Sequence, residues 1–168
     1  MTKNMTETIN YIDEIAAILN DYKLISSTQY NNAGKCFTLD NLSKIDPEVK
    51  LRIHVYEDGD CEFSAVLFQK IPKYEISHIL EVLNRLNRET RFVSLTLGPP
   101  YNCIKASYSA LFRGPREDLR HMLMHTLRQF LETIDPAISI IREELCMDLP
   151  EADPDGIQLF RIDLFEAE

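Results

Sequence analysis

The stretch Val49–Gln69, VKLRIHVYEDGDCEFSAVLFQ, decides the fold because it encodes two strands joined by a tight turn. Apolar and polar side chains alternate along both halves, as they do in strands that are buried on one face. The inward positions are Val49, Leu51, Ile53 and Val55, followed by Cys61, Phe63, Ala65 and Leu67. Between the halves, EDGD places a glycine where a hairpin turn demands a positive φ. The stretch therefore predicts an antiparallel β-hairpin.

The segments on either side of the hairpin predict further strands and two helices. Apolar residues recur at three- and four-residue steps from about Thr6 to Leu24, and again in KYEISHILEVLNRLN after Pro72. This spacing is typical of amphipathic helices. The polar run SSTQYNNAGK is rich in turn formers, so it predicts a break in regular structure before the short strand CFTLDNL. FVSLTL and CIKASYSALF predict two more strands.

The C-terminal third predicts two helices and a tail. Pro115 suits the first turn of one helix, and Asp135–Pro136 combines an N-cap with a first-turn proline, which predicts another helix through about Cys146. The fold class is therefore α+β, with an antiparallel five-stranded sheet and helices on one face. The predicted order is α-β-β-β-α-β-β-α, plus an extra C-terminal helix and tail. We assign residues 1–146 to one domain and residues 147–168 to an acidic tail with a hydrophobic end.

The charge and hydropathy of the chain argue against two classes of partner. The net charge is −9, and a strongly acidic protein lacks the basic face used in non-specific nucleic-acid binding. No apolar run approaches the roughly 18 residues of a membrane helix. The N-terminus MTKNMTETIN lacks the basic flank and apolar block of a secretory signal. We expect a cytoplasmic protein whose four singly spaced cysteines are reduced.

The familiar catalytic motifs do not occur in the sequence. It contains no G-x-S-x-G, P-loop or G-x-G-x-x-G pattern, so we expect a protein that is not an enzyme and uses no cofactor. His121 and His125 are the remaining metal candidate, because their spacing can bring two imidazoles to one ion. The glutamate of an H-E-x-x-H motif is missing, however, and Arg120 and Arg128 flank the pair. We therefore predict a solvated polar stripe and no metal site.

The tail combines an acidic stretch with an apolar end. Residues 147–168 hold seven acidic residues against Arg161, and they finish with IQLFRIDLF. An exposed apolar segment of this kind marks an interaction site. Two interpretations stay open: the segment docks on its own domain, or it is an arm that binds a second subunit or a partner by strand addition or helix-in-groove. The anchors of that arm would be Leu159, Phe160, Ile162 and Leu164.

Two asparagines lie near the end of the second helix, in EVLNRLNRETRF. Asparagine is a poor residue in a helix interior but tolerates the left-handed backbone of a helix exit. We predict that Asn87 caps this exit and that Asn84 bonds nearby backbone, so both would specify a corner of the fold. This role is structural, not catalytic.

With this element order, the chain resembles the YbjN-type family of bacterial proteins, which share the fold of class I type III secretion chaperones. The resemblance covers roughly residues 5 to 133. It rests on the strand LRIHVY and on the helix end that contains Leu80, Leu83, Asn84 and Asn87.

The resemblance implies a small, acidic, cytoplasmic homodimer that binds polypeptide segments and does not turn over a substrate. The expected function is therefore a non-enzymatic protein-binding module, either chaperone-like or a regulatory adaptor. The extra helix from Asp135 and the tail depart from the family pattern and could occupy or redirect its binding groove. The alternative is a small-molecule or metal-binding sensory regulator that uses the polar sheet face or the His121/His125 pair.

Overall fold

The computed structural model describes residues 10–31, 33–99 and 102–145. The predicted tail and its anchors Leu159, Phe160, Ile162 and Leu164 lie outside the described residues. Three α-helices, one short 3-10 helix and six strands make up the described part. In chain order these are α1 (Tyr11–Asp21), β1 (Ile25–Asn31), β2 (Gly34–Leu39), β3 (Leu51–Tyr56), β4 (Asp60–Phe68), the 3-10 helix (Lys73–Glu75), α2 (Ile76–Glu89), β5 (Ser94–Gly98), β6 (Cys103–Leu111) and α3 (Arg116–Glu144).

The strands form one antiparallel sheet in the order β1-β2-β3-β4-β6-β5. The predicted hairpin is confirmed: β3 pairs with β4 so that Leu51 faces Ala65 and Ile53 faces Phe63. Gly59, at the turn, has a φ of +90°. An added Cβ there would meet the backbone oxygen of Phe112 at 2.3 Å, so both backbone conformation and space require glycine.

The sheet has six strands, so the prediction of five was wrong. The additional strand is β1, which falls within the run that had been predicted as a break. Its side chains from Ser26 to Asn31 are all exposed, so they show no alternation of apolar and polar residues. Only Ile25, at its start, is half-buried, and backbone pairing with β2 forms the rest of the strand. A hydrophobic pattern cannot report such a strand.

The core lies between the helices and the inner face of the sheet. The alternating residues of the hairpin are buried, as predicted, together with one stripe from each helix. Asn10 caps α1, since its side-chain oxygen accepts a hydrogen bond from the Asp13 backbone N–H. The ring centroids of Phe63 on β4 and Phe130 on α3 lie 6.3 Å apart. That contact packs the longest helix against the centre of the sheet.

The separate helix predicted from Asp135 is wrong, because α3 continues without a break from Arg116 to Glu144. Pro136 lies inside this helix, where its missing N–H removes one intrahelical hydrogen bond. Buried residues on both sides of the proline, such as Ile134 and Ile138, hold the helix together through packing. Asp135 does not cap a helix start. Its carboxylate accepts a hydrogen bond from Ser43 Oγ at 2.7 Å instead.

Candidate functional site

The face of the sheet opposite the core carries polar side chains in rows. The pairing of neighbouring strands places Arg52 of β3, Ser64 of β4 and Ser107 of β6 side by side, with Ser94 of β5 next. The adjacent row contains Val66, Lys105 and Thr96. Neighbouring strands lie about 4.8 Å apart, so a row across four strands spans roughly 15 Å. This surface is wide enough for a small molecule or a short peptide.

These rows line a cleft of about 450 Å³ on the outer face, which we call the outer cleft. Its lining is mostly polar or charged. It consists of Glu48, Lys50, Arg52, Glu62, Ser64, Ala65, Val66, Gln69, Thr96, Lys105, Ala106 and Ser107. Three cations and two carboxylates therefore face the same space, together with three hydroxyl groups. The cleft can donate hydrogen bonds and offers positive charge to a ligand.

The cations of the outer cleft differ in their partners. Lys50 Nζ lies 3.9 Å from a carboxylate oxygen of Asp40, and the lysine side chain is 62% exposed. Arg52 and Lys105 have no carboxylate within 4.0 Å among residues 10–31, 33–99 and 102–145. Since an exposed ion pair contributes little, all three cations can bind an incoming anion.

Beside the cleft, the outer face continues with a thiol and an imidazole. Cys36 of β2 pairs with His54 of β3. Burial raises the pKa of the Cys36 thiol, Arg52 opposes this shift and Glu62 adds to it. The thiol is therefore protonated at neutral pH, which makes it a poor nucleophile. His54 stacks on Tyr56 with ring centroids 4.4 Å apart, and its Nε2 lies 3.2 Å from Asn31 Nδ2.

The two other thiols in the described part are both buried and free. Burial is the main reason why the pKa of Cys61 rises to about 12, and the neighbouring Asp60 and Asp58 add to the shift. Cys103 is likewise free and buried. Cys146 lies outside the described residues.

The edge of the sheet formed by β1 offers a second kind of surface. Within the described residues β1 pairs only with β2, so its other edge presents backbone donors and acceptors to solvent. Tyr30, near the end of this strand, is 78% exposed, and Lys35 Nζ lies 4.8 Å from its ring centroid. An edge strand with an exposed aromatic side chain can accept an extended polypeptide by strand addition.

The candidate metal pair lies on the surface of α3. His121 and His125 are both exposed, and their rings stack with centroids 6.4 Å apart. In the part of the chain that the structure describes, no group of three or more potential metal-ligating side chains comes together. The pair therefore has no third ligand there.

The two asparagines of α2 lie in different environments. Asn87 is inside the helix, whose C-cap is Thr90, so the left-handed exit predicted at Asn87 does not occur. Its amide instead pairs with the backbone of Leu95 at the start of β5: Nδ2 donates to the carbonyl and Oδ1 accepts from the N–H, each at 2.8 Å. The exposed Asn84 makes no side-chain hydrogen bond to any described residue, so its predicted backbone bond is absent there.

Sequence reasoning missed a buried polar cluster that ties α3 to the loop between β2 and β3. Arg142 forms an ion pair with Asp46, and the side chains are only 6% and 12% exposed. Ser43 Oγ donates to Asp135 and accepts from the backbone N–H of Asp46 at 3.0 Å. Arg142 and Asp135 lie seven residues apart and therefore on one face of the helix. That spacing of two opposite charges within an apolar stripe was the available signal.

The comparisons with known proteins concern the fold. No protein-family model and no curated protein matches the chain. Among solved structures, it is similar to the crystal structure of YbjN from E. coli, described as a candidate transcription regulator. The TM-score is 0.56 and the identity 14%, and the match covers 77% of this chain and 92% of that one. The chain has a YbjN-like fold.

This likeness supports the YbjN part of the resemblance at the level of the fold, and the likeness to class I type III secretion chaperones stays a prediction. At 14% identity the likeness concerns the fold alone.

A further finding bears on the membrane. Over residues 10–31, 33–99 and 102–145, no helix has both the length and the apolarity that crossing a bilayer requires.

Proposed function

We propose that this protein is a non-enzymatic protein-binding module, a chaperone-like or regulatory adaptor that binds polypeptide segments in the cytoplasm. The observation that carries the proposal is the edge strand β1, with its exposed side chains and Tyr30. An extended segment adding to such an edge gains main-chain hydrogen bonds whatever its sequence, and the exposed ring supplies an apolar contact. The free strand edge and the exposed ring are the two features that binding an extended polypeptide requires.

The YbjN-like fold supports the same proposal. YbjN is described as a candidate transcription regulator, and a regulator that works through a partner protein requires a binding surface of this kind. The resemblance to class I type III secretion chaperones adds the expectation of a homodimer around which extended partner segments lie. In this proposal the tail anchors Leu159, Phe160, Ile162 and Leu164 are the arm that reaches a second subunit or a partner.

The test compares the full chain with a chain truncated after Cys146, by co-purification and by solution mass. If the tail is the interaction arm, truncation removes partners or lowers the oligomeric state. A full chain with Leu159, Phe160, Ile162 and Leu164 replaced by serine is the matched control for tail length. Identical partner sets and the same number of subunits in all three proteins would contradict the proposed arm.

The volume of the outer cleft supports a second candidate, a small-molecule-binding sensory regulator. A space of about 450 Å³ falls within the range of ligand sites, although such sites are usually more apolar. The metal-binding version would use His121 and His125. The metal content of the untagged protein, with and without replacement of both histidines, tests this version. Less than one metal ion per chain, with no loss when both histidines are replaced, would contradict it.

A further inference from the structure

The floor of the outer cleft is formed by short side chains of β4 and β6. Ser64 of β4 and Ser107 of β6 face each other in one row, and both are half-buried. Arg52 of β3, in the same row, is exposed and has a much longer side chain. A ligand placed over the two serines therefore meets hydroxyl groups below it and a guanidinium group beside it.

The outer cleft has no net charge once the partner of Lys50 is included. Its lining contributes three basic and two acidic side chains, Lys50, Arg52, Lys105, Glu48 and Glu62. A sixth charge is that of Asp40, whose Oδ1 lies 3.9 Å from Lys50 Nζ. A ligand of a single sign therefore meets as much repulsion as attraction, whereas a ligand that carries both signs can match both.

The two signs occupy different positions along the strands. Counted from the turn between β3 and β4, the row of Glu62 comes first, that of Arg52 second and that of Lys105 third. Glu48 comes two residues before Lys50 and lines the end of the cleft away from the turn. The cations therefore lie in the middle of the cleft and the carboxylates at its two ends.

Four of these charged groups form no ion pair with any residue that the structure describes: Arg52, Lys105, Glu48 and Glu62. Arg52 and Glu62 are diagonal neighbours on β3 and β4, and their charged atoms still lie more than 4.0 Å apart. The guanidinium and the carboxylate therefore both keep hydrogen-bonding capacity for a ligand.

The end of the cleft at Glu62 is the more negative one. A second cleft of about 400 Å³, which we call the hairpin cleft, adjoins it there and is lined by Tyr56, Asp60, Cys61, Glu62, Ser109, Ala110 and Leu111. This lining has two carboxylates and, among these described residues, no basic side chain. Glu48 at the other end lies two residues from Lys50. A cationic group of a ligand is therefore better placed at Glu62.

The spacing of the rows matches a short peptide with free termini. Neighbouring positions on one face of a strand are about 7 Å apart, and strand side chains stand roughly perpendicular to the sheet. An extended residue covers about 3.3–3.6 Å, so the terminal ammonium and carboxylate of a dipeptide are also about 7 Å apart. In a single amino acid both groups are attached to one Cα and lie closer together.

We propose that the outer cleft binds a zwitterionic ligand of dipeptide size, with its carboxylate at Arg52 and Lys105 and its ammonium group at Glu62. The hydroxyl groups of Ser64 and Ser107 donate further hydrogen bonds to the carboxylate. This inference rests on the second candidate function, small-molecule binding in the outer cleft. It is independent of polypeptide binding at β1.

Titration of the isotope-labelled full chain with L-alanyl-L-alanine, followed by NMR, tests the proposal. We expect the backbone amide signals of Ser64 and Ser107 to shift as the dipeptide rises to about 10 mM, a range that includes weak binding. N-acetyl-L-alanyl-L-alanine lacks the ammonium group, and L-alanyl-L-alaninamide lacks the carboxylate. Each binds about tenfold more weakly, because a charged hydrogen-bonding group is lost. L-alanine, whose charges are too close together, also binds more weakly.

Two variants assign the charged ends of the ligand. Glu62→Gln weakens binding of the dipeptide about tenfold and leaves binding of the N-acetylated analogue unchanged, since that analogue has no ammonium group. Arg52→Gln weakens binding of both. Glu57→Gln is the matched control, because Glu57 is an exposed residue in the turn of the same hairpin and lines neither cleft. Circular dichroism shows that each variant is folded.

The failures of this test are distinguishable. Equal affinities for the dipeptide and its N-acetylated analogue would overturn the zwitterionic ligand and leave the outer cleft as an anion site. Dipeptide binding that is insensitive to both Glu62→Gln and Arg52→Gln would overturn the proposal by placing the ligand elsewhere. No shift with any of the four probes would overturn it as well. None of these results bears on polypeptide binding at β1.

Discussion

Two polar clusters meet α3 within one turn of each other, and they differ in their exposure to water. Arg142 and Asp46 form an ion pair that is almost entirely buried. Glu144, two residues later, accepts hydrogen bonds from Arg85 and His78 of α2, each at 2.9 Å, on the exposed surface. In each cluster a carboxylate pairs with at least one basic group. If the surroundings set the cost of breaking an ion pair, the buried pair is the more costly one to break.

The largest effect is expected from Arg142→Met. Removing the guanidinium leaves the Asp46 carboxylate buried without its counter-charge, which lowers the free energy of unfolding by about 3–5 kcal/mol. Urea denaturation monitored by circular dichroism measures this loss. The matched control is Arg85→Met, which removes an exposed partner of Glu144 and has a much smaller effect. Equal losses of unfolding free energy in the two variants would contradict this prediction, because burial would then not decide the cost of removing the arginine.

The asparagines of α2 give a second comparison of the same kind, with an intermediate effect. Asn87→Ala breaks both hydrogen bonds to the backbone of Leu95, so we expect the free energy of unfolding to fall by about 0.5–2 kcal/mol. Asn84→Ala removes an exposed amide with no bond to a described residue, and we expect a change within about 0.5 kcal/mol. Thermal denaturation of the two variants tests the difference. A folded and equally stable Asn87→Ala protein that no longer bound its partner would contradict a structural role.

The smallest effect is expected at Glu144 and depends on pH. The hydrogen bond from Arg85 holds the pKa of Glu144 below its ordinary value; burial opposes this and His78 reinforces it. A lowered folded-state pKa stabilises the protein above the unfolded pKa of glutamate, about 4.3, and the stabilisation is lost as pH falls through the folded value. Unfolding curves of Glu144→Gln and the parent protein should therefore differ at pH 7 and converge in acid. A difference that persists in strong acid would show that the carboxylate's charge is not its source.

The parts of the fold that were predicted correctly have a strong local pattern. The hairpin has strict alternation and an Asp-Gly turn, and both properties act over neighbouring residues. β1 was missed because its side chains from Ser26 to Asn31 are all exposed and therefore show no alternation. The helix that was predicted to start at Asp135 has a convincing local signal, but packing of Ile134 and Ile138 overrides it.

The candidate sites divide in the same way. The polar residues of the outer face were predicted from alternation, since side chains two positions apart share a face of a strand. The outer cleft itself depends on the order of the strands, which brings Arg52 and Lys105 from distant parts of the chain together. The bond of Asn87 to Leu95 likewise depends on how α2 packs beside β5. The role of the tail anchors stays a prediction.

The sequence by itself determined the α+β class, the central hairpin, the inner face of the sheet and the acidic character of the chain. Periodicity and turn residues act over neighbouring positions, and net charge is a sum over the whole chain. The sequence alone therefore reveals these properties. Only the tertiary structure decided the sixth strand, the unbroken α3, the buried Asp46–Arg142 pair and the convergence of cations in the outer cleft. The buried pair and the convergence of cations depend on contacts between residues far apart in the chain. β1 and the unbroken α3 depend on backbone pairing and on burial, which a local apolar pattern does not report.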